Sequence, residues 1–215
     1  MTGKARLGFV AAALAVGVTA GAAPALAATP PGVASGGSAA FTRAGVRTTI
    51  PEVARCAVTG PTSATSGTIT QGGVEFDGVT STCTTTVVDP AHSVTTTKSE
   101  STGDRFELSA LIASGGPRIV ITDYRVTCTA TRDGSAVGWA VGGLAGVTGL
   151  PSPVPRDYVR EIRGDGGLLA TATFNEVVLS RGGGIALNML HLRFQPGSGM
   201  SGDVVVGATA CAPTP

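Results

Sequence analysis

Short runs of β-branched residues constrain the fold of this chain more than any other feature. Runs rich in Val, Thr and Ile recur from residue 45 to residue 211, and Gly, Pro, Asp or Ser interrupts each of them after a few residues. Residues of the first kind fit a pleated, half-buried strand, whereas the interrupting residues favour turns. No segment has a convincing helical stripe. The pattern predicts an all-β fold, an antiparallel β-sandwich.

The stretch 185–211 illustrates the pattern and contains an irregularity. Its apolar side chains alternate on one face up to Met189 and on the other face from Leu190 onward. A β-bulge is the usual cause of such a change of face, so we predict one at this point. A Gly-rich turn after Pro196 and a last strand then complete a closing hairpin. Residues 155–164, PRDYVREIRG, are compatible with a strand or with a short helix.

The N-terminal segment has the three parts of a secretory signal peptide. Lys4 and Arg6 precede a long apolar core, and the small residues Ala25 and Ala27 form the cleavage pattern. We therefore predict a signal peptide over residues 1–27. Residues 28–44 begin with an aperiodic Pro/Gly/Ser/Ala-rich stretch, which predicts a flexible leader. A single β-sandwich domain is expected over residues 45–215, in a protein released to the extracellular space.

Charge excludes two classes of partner. After removal of Lys4 and Arg6 the chain has 13 basic and 14 acidic residues, and Lys98 is its only lysine. A nucleic-acid-binding surface or an anionic-lipid surface needs a basic stripe, and none is present. No later apolar run is long enough to span a membrane, so no transmembrane anchor is expected after signal cleavage.

The four cysteines are Cys56, Cys83, Cys128 and Cys211. An even number of cysteines in an exported chain predicts two disulfides, for which three connectivities are possible. Their separations of 27, 45 and 83 residues match no zinc-binding pattern. We expect no metal site, no cofactor and no cofactor-binding residue.

His191 and Asn188 are the candidate site residues, and no catalytic residue is assigned. After the change of face, His191 and Arg193 are expected on the more polar face of their strand. The sequence has no G-x-S-x-G elbow and no Gly-rich phosphate loop. A secreted hydrolase that uses His191, Asn188 and an unidentified acid is the alternative function. A third hypothesis is an integrin-type ligand, through the RGD tripeptide that ends at Asp165.

The second half of the chain resembles the choice-of-anchor P family of secreted bacterial proteins. The resemblance covers about residues 118–211. It rests on Asn175-Glu176, on the segment 187–191 (LNMLH, similar to VNALH), and on the closing strand 204–208. It implies an extracellular β-rich domain without a characterised activity, and an architectural role for Asn188 and His191. Cysteines recur in that family at positions like Cys128 and Cys211, which implies the pairs Cys128–Cys211 and Cys56–Cys83.

These observations lead to one expected function. The chain is an exported, non-enzymatic protein of the cell envelope or extracellular space, with a structural or binding role and an unidentified ligand. A cell-envelope polysaccharide or another secreted protein is the expected kind of partner.

Overall fold

The computed structural model describes residues 32–92, 94–180 and 183–213. The predicted signal peptide, and residues 28–31 of the predicted leader, lie outside these ranges. The described chain forms fifteen strands: β1 Gly32–Arg43, β2 Val46–Ile50, β3 Cys56–Ala57, β4 Ser63–Ser66, β5 Ile69–Gln71, β6 Val74–Asp77, β7 Val79–Asp89, β8 Val94–Leu108, β9 Ile119–Thr131, β10 Gly134–Ala140, β11 Gly143–Ala145, β12 Tyr158–Gly164, β13 Gly167–Leu179, β14 Ile185–Phe194 and β15 Met200–Cys211. Short 3-10 helices occur at Pro90–His92, Ile112–Ser114 and Pro196–Ser198.

The strands form two antiparallel sheets that pack face to face. We call them the N/C sheet and the middle sheet. The N/C sheet has the order β12-β13-β14-β15-β1-β2, with β3 paired to β1. The middle sheet contains β4 to β11, with β8 and β9 near its centre. Apolar side chains from both sheets fill the space between them. The all-β sandwich expected from the sequence is confirmed.

The prediction of a flexible leader is wrong from residue 32 onward. Strand β1 lies between β15 and β2, with antiparallel pairs from Gly32↔Cys211 to Arg43↔Met200. Seven of its twelve residues are buried. Its small residues have low intrinsic strand propensity, so hydrogen bonding to two neighbouring strands determines its conformation.

The structure resolves the segment for which the sequence left a strand and a short helix open. Residues 158–164 form strand β12 and not a helix. Strand β8 runs without a break through Gly103. Gly103 lies directly opposite Tyr124, and a Cβ at Gly103 would overlap the tyrosine ring. The Tyr124 hydroxyl donates a hydrogen bond to the carbonyl oxygen of Gly36, 3.1 Å away in the other sheet.

Both implied disulfides are confirmed, and each joins the two sheets. Cys56 in β3 is bonded to Cys83 in β7, and Cys128 in β9 is bonded to Cys211 in β15. All four cysteines are fully buried. The N/C sheet is thereby attached covalently to the middle sheet at two places.

The change of face in β14 is confirmed, but the predicted β-bulge is wrong. Met189 and Leu190 are both buried. Pairing passes from Phe174↔Leu190 to Glu176↔Asn188 with no change of register. In each of four adjacent strands, one residue is left out of the ladder of paired residues. These residues form one row across the sheet, namely Asn175, Met189, Gly207 and Gly36.

Left-handed backbone conformations accompany this row of unpaired residues. Asn175 has φ 54° and Gly207 has φ 63°. The middle sheet contains a similar row, where β8 and β9 omit Asp104 and Asp123, and Asp123 has φ 51°. The strands of each sheet therefore change face together, which keeps their register intact. Only glycine, and to a lesser extent Asn and Asp, adopts this conformation readily.

Substitution of Gly207 tests how much the row of unpaired residues contributes to the stability of the fold. A Cβ at Gly207 would lie 2.8 Å from Cγ1 of Val126 in the facing sheet, and the left-handed backbone disfavours alanine. We expect Gly207→Ala to lower the free energy of unfolding by about 2–3 kcal/mol, measured by urea denaturation. Gly199 has φ 66° and no atom within 4 Å of its Cβ position. Gly199→Ala is thus the matched control, with an expected loss of about 1 kcal/mol. Equal losses for the two variants would contradict the packing argument.

Candidate functional site

The candidate site lies on the outer face of the N/C sheet. Leu190 and Leu192 face the core, so strand alternation places His191 and Arg193 on the opposite face. Asn188 reaches the same face because it precedes the change of face at Met189. Two residues that are three apart on a regular strand lie on opposite faces. The row of unpaired residues therefore explains why Asn188 and His191 lie on the same face.

Glu176 in β13 is the centre of the site. Its Oε2 accepts hydrogen bonds from Nδ2 of Asn188, at 2.8 Å, and from Nδ1 of His191, at 2.8 Å. Its Oε1 accepts a hydrogen bond from Nη2 of Arg193, at 2.6 Å. Only 16% of the Glu176 side chain and 12% of the His191 side chain are exposed. One half-buried carboxylate thus receives three donors from a single neighbouring strand.

The second ring nitrogen of His191 is also occupied. Nε2 of His191 lies 2.9 Å from Oδ2 of Asp203, in strand β15. Each ring nitrogen of His191 therefore has a carboxylate oxygen within hydrogen-bond distance. We refer to Asn188, His191, Arg193, Glu176 and Asp203 as the Glu176 network.

The network strongly favours the ionised form of Glu176. Burial alone would raise the pKa of this carboxyl, but hydrogen bonds from Asn188, Arg193 and His191 outweigh burial and hold its pKa at about 2. Because the folded-state pKa lies below that of an unfolded glutamate, the ionised form stabilises the fold.

This shift predicts a loss of stability in acid. The contribution of Glu176 is fully present above the unfolded pKa, about 4.3, and disappears as the pH falls toward 2. We expect Glu176→Gln to lower the free energy of unfolding at pH 7 by about 2–3 kcal/mol, and the difference from wild type to shrink between pH 4.5 and pH 2. Urea denaturation at a series of pH values measures this difference.

Glu161 provides the control for that experiment. It lies on neighbouring strand β12, it pairs with Arg163, and 52% of its side chain is exposed. Glu161→Gln is expected to change stability by less than about 1 kcal/mol. A Glu176→Gln difference that does not depend on pH would contradict the role assigned to the carboxylate.

The sequence pattern identified part of this site. It selected Asn188 and His191 and placed Arg193 on their face, but it did not identify Glu176 and Asp203 as partners. Glu176 lies directly opposite Asn188 in the pairing of β13 with β14, a register that the pattern of one strand does not contain. The position of Asp203 depends in the same way on the register of β14 with β15.

The remaining motifs do not extend the site. Arg163 and Gly164 belong to β12, and Asp165 lies in a two-residue turn to β13. The RGD tripeptide thus spans the end of β12 and the exposed first residue of a tight turn, and the integrin-type hypothesis stays a prediction. Within the described ranges, no group of three or more His, Cys, Asp or Glu side chains is arranged to hold a metal ion. The two nitrogens of His191 point in opposite directions, so Glu176 and Asp203 do not converge on one point.

Comparisons of this chain with protein families, with curated proteins and with solved structures find no match. Among the residues that the structure describes, no helix has the length and apolar character needed to cross a membrane.

Proposed function

We propose that this chain is an exported protein of the cell envelope or extracellular space, with a non-enzymatic structural or binding role. The Glu176 network is the observation that carries the non-enzymatic part of this proposal. Its donors and acceptors are directed at one another. The imidazole contacts a carboxylate through each nitrogen, so neither nitrogen is open toward a substrate.

The disulfides support the exported part of the proposal. Two buried disulfides suggest folding in an oxidising compartment, because cytosolic proteins rarely keep such bonds. The signal-peptide pattern of residues 1–27 supports the same route, with cleavage after Ala27. Strand β1 begins at Gly32, so cleavage there would leave every described strand intact.

The alternative function is a secreted hydrolase with its site near His191. A hydrolase of this kind needs a base that reaches the substrate, and often a nucleophilic hydroxyl within hydrogen-bond distance of that base. The contacts of His191 are to two carboxylates instead. The resemblance to the choice-of-anchor P family implies an extracellular β-rich domain without a characterised activity, in keeping with the non-enzymatic proposal. An envelope polysaccharide or another secreted protein is the proposed kind of partner.

Export and binding can be tested with the full chain in a secreting bacterial host. We expect the protein in the medium, with a mature mass that begins at Ala28 and includes two disulfides. The purified protein is expected to co-sediment with isolated cell-wall polysaccharide. Retention in the cytosol would contradict export.

The non-enzymatic proposal has its own test. Chromogenic ester and glycoside substrates are incubated with wild type and with His191→Ala. We expect no turnover that distinguishes the two proteins. Turnover by wild type that His191→Ala abolishes, with the fold of the variant verified by circular dichroism, would establish the hydrolase alternative.

A further inference from the structure

An apolar cavity of about 210 Å³ lies between the two sheets. It is located where the β10–β11 edge of the middle sheet faces strands β13 and β14 of the N/C sheet. Every one of its nine lining residues is apolar. The cavity is on the opposite side of the N/C sheet from the Glu176 network, so it is a separate site.

The change of face in β14 builds the inner wall of the cavity. Met189 and Leu190 both line it, because the row of unpaired residues turns two consecutive side chains of β14 inward. Phe174 and Ile121 complete this wall. All four residues are at most 2% exposed. The inner wall therefore belongs to the rigid core of the sandwich.

The outer wall consists of residues that are only partly buried. Trp139 and Val141 come from the β10–β11 edge, with Leu144 beside them, and Leu150 and Val154 come from the segment between β11 and β12. Partial exposure on this side and full burial on the other indicate where a ligand would enter.

Hydrogen bonds hold the segment 146–157 in place over the cavity. Nδ2 of Asn175 donates to the carbonyl oxygen of Val154, at 3.3 Å. The backbone N–H of Asp157 donates to the carbonyl oxygen of Asn175, at 2.9 Å. The Asp157 carboxylate accepts from the backbone N–H of Val177, at 2.9 Å. The same unpaired residue that redirects β13 thus anchors the outer wall.

We propose that this cavity is a binding site for a small, uncharged, hydrocarbon-like molecule, such as a monocyclic aromatic. A buried water needs two to four polar partners, and the lining side chains contain only one polar group, the indole N–H of Trp139, so water is a poor occupant. Apolar cavities of about 150 Å³ remain dry and bind benzene. This cavity is larger than that, pre-formed and lined by aliphatic and aromatic side chains, so its size and lining suit a ligand of about one ring. The inference does not depend on export or on the Glu176 network.

Toluene is the probe for this site, because Trp139 is the only tryptophan of the chain and lines the cavity. We expect a saturable change in tryptophan fluorescence on titration of the mature protein with toluene, and a rise in the unfolding temperature. Phenol has a similar shape but carries a hydroxyl donor for which the lining side chains offer no strong acceptor, so it is expected to bind at least about tenfold more weakly.

Filling the cavity should abolish the effect. Val141→Phe and Leu150→Phe add volume from two different sides of the outer wall, and each is expected to weaken toluene binding at least about tenfold, because a packed interior has no room for both rings. Ala136→Val is the matched control, since Ala136 is exposed on the same strand as Trp139 and does not line the cavity. Circular dichroism and unfolding curves verify the fold of each variant, and the second filling variant replaces the first if one does not fold.

Each outcome of these binding experiments either supports or overturns the proposal. Saturable toluene binding in wild type and in Ala136→Val, and its loss in a folded filling variant, supports the proposal. Absence of binding in wild type, equal binding of phenol and toluene, or undiminished binding in a folded filling variant overturns it.

Discussion

Deletion of residues 32–43 is expected to prevent the chain from folding. The deletion removes β1, which pairs along its length with β15 and along its second half with β2. It also removes Phe41, whose ring packs edge-to-face against Phe194 with 5.1 Å between ring centroids. A domain of this size is stable by only about 5–15 kcal/mol, and the loss of an interior strand exceeds that range.

The deletion has a matched control in the same strand. Ala40 is exposed within β1, so Ala40→Ser should leave the unfolding transition within about 0.5 kcal/mol of wild type. Circular dichroism and urea denaturation of the mature chain, with and without residues 32–43, provide the measurement. A cooperative transition of normal midpoint in the deleted protein would show that β1 is dispensable.

A synthetic peptide of residues 32–43 offers a second test of the same prediction. The deleted chain would expose the edge of β15, and an extended peptide can add to such an edge through main-chain hydrogen bonds. We expect this peptide to restore part of the folded signal, whereas a peptide of the same composition in scrambled order is not expected to do so. Equal effects of the two peptides would contradict register-specific pairing.

The failure to predict β1 has a physical reason. The segment GVASGGSAAFTR contains few β-branched residues, so local propensity and hydrophobic period both indicate a loop. The small residues are there because the sheets approach closely at this strand. A Cβ at Gly36 would overlap Val79, and a Cβ at Gly37 would lie 2.7 Å from Cε1 of Phe76, both in the middle sheet. Neither contact can be inferred without the partner strands.

The features that sequence reasoning predicted correctly depend on local patterns. Alternation of Val, Thr and Ile predicted the sandwich, and the change of face at Met189 and Leu190 was visible in the chain itself. The cause of that change was not, because a β-bulge affects one strand and the observed row extends across four. Local pattern thus predicts which face a residue occupies, but not how neighbouring strands accommodate the change.

The residues of the candidate site likewise divide into those that a single strand predicts and those that depend on neighbouring strands. Asn188 and His191 were identified from their own strand. Glu176 and Asp203 lie on the two flanking strands, and their contacts with His191 depend on cross-strand register. To predict which residues pair across strands of about a dozen residues, one must know the geometry of the turns that connect them. The hydrogen bonds of the Glu176 network could be established only after that register was known.

Removal of the disulfide Cys128–Cys211 is expected to lower the free energy of unfolding by about 4.5 kcal/mol. This bond closes a segment of 83 residues and joins β9 of the middle sheet to β15 of the N/C sheet. Restriction of the unfolded chain grows with the logarithm of the enclosed length, which gives the stated magnitude for 83 residues. The test variant is Cys128→Ala with Cys211→Ala, because alanine leaves no unsatisfied hydroxyl in a fully buried site.

The second disulfide is a control within the same molecule. Cys56–Cys83 also joins the two sheets and is equally buried, but it closes only 27 residues. The same relation predicts a loss of about 3.5 kcal/mol for Cys56→Ala with Cys83→Ala. Since burial and alanine truncation are matched, the difference of about 1 kcal/mol isolates the effect of loop length. Urea denaturation of both double variants measures it, and a larger loss for the shorter loop would show that native packing around the sulfur atoms, and not chain restriction, determines the contribution of these bonds.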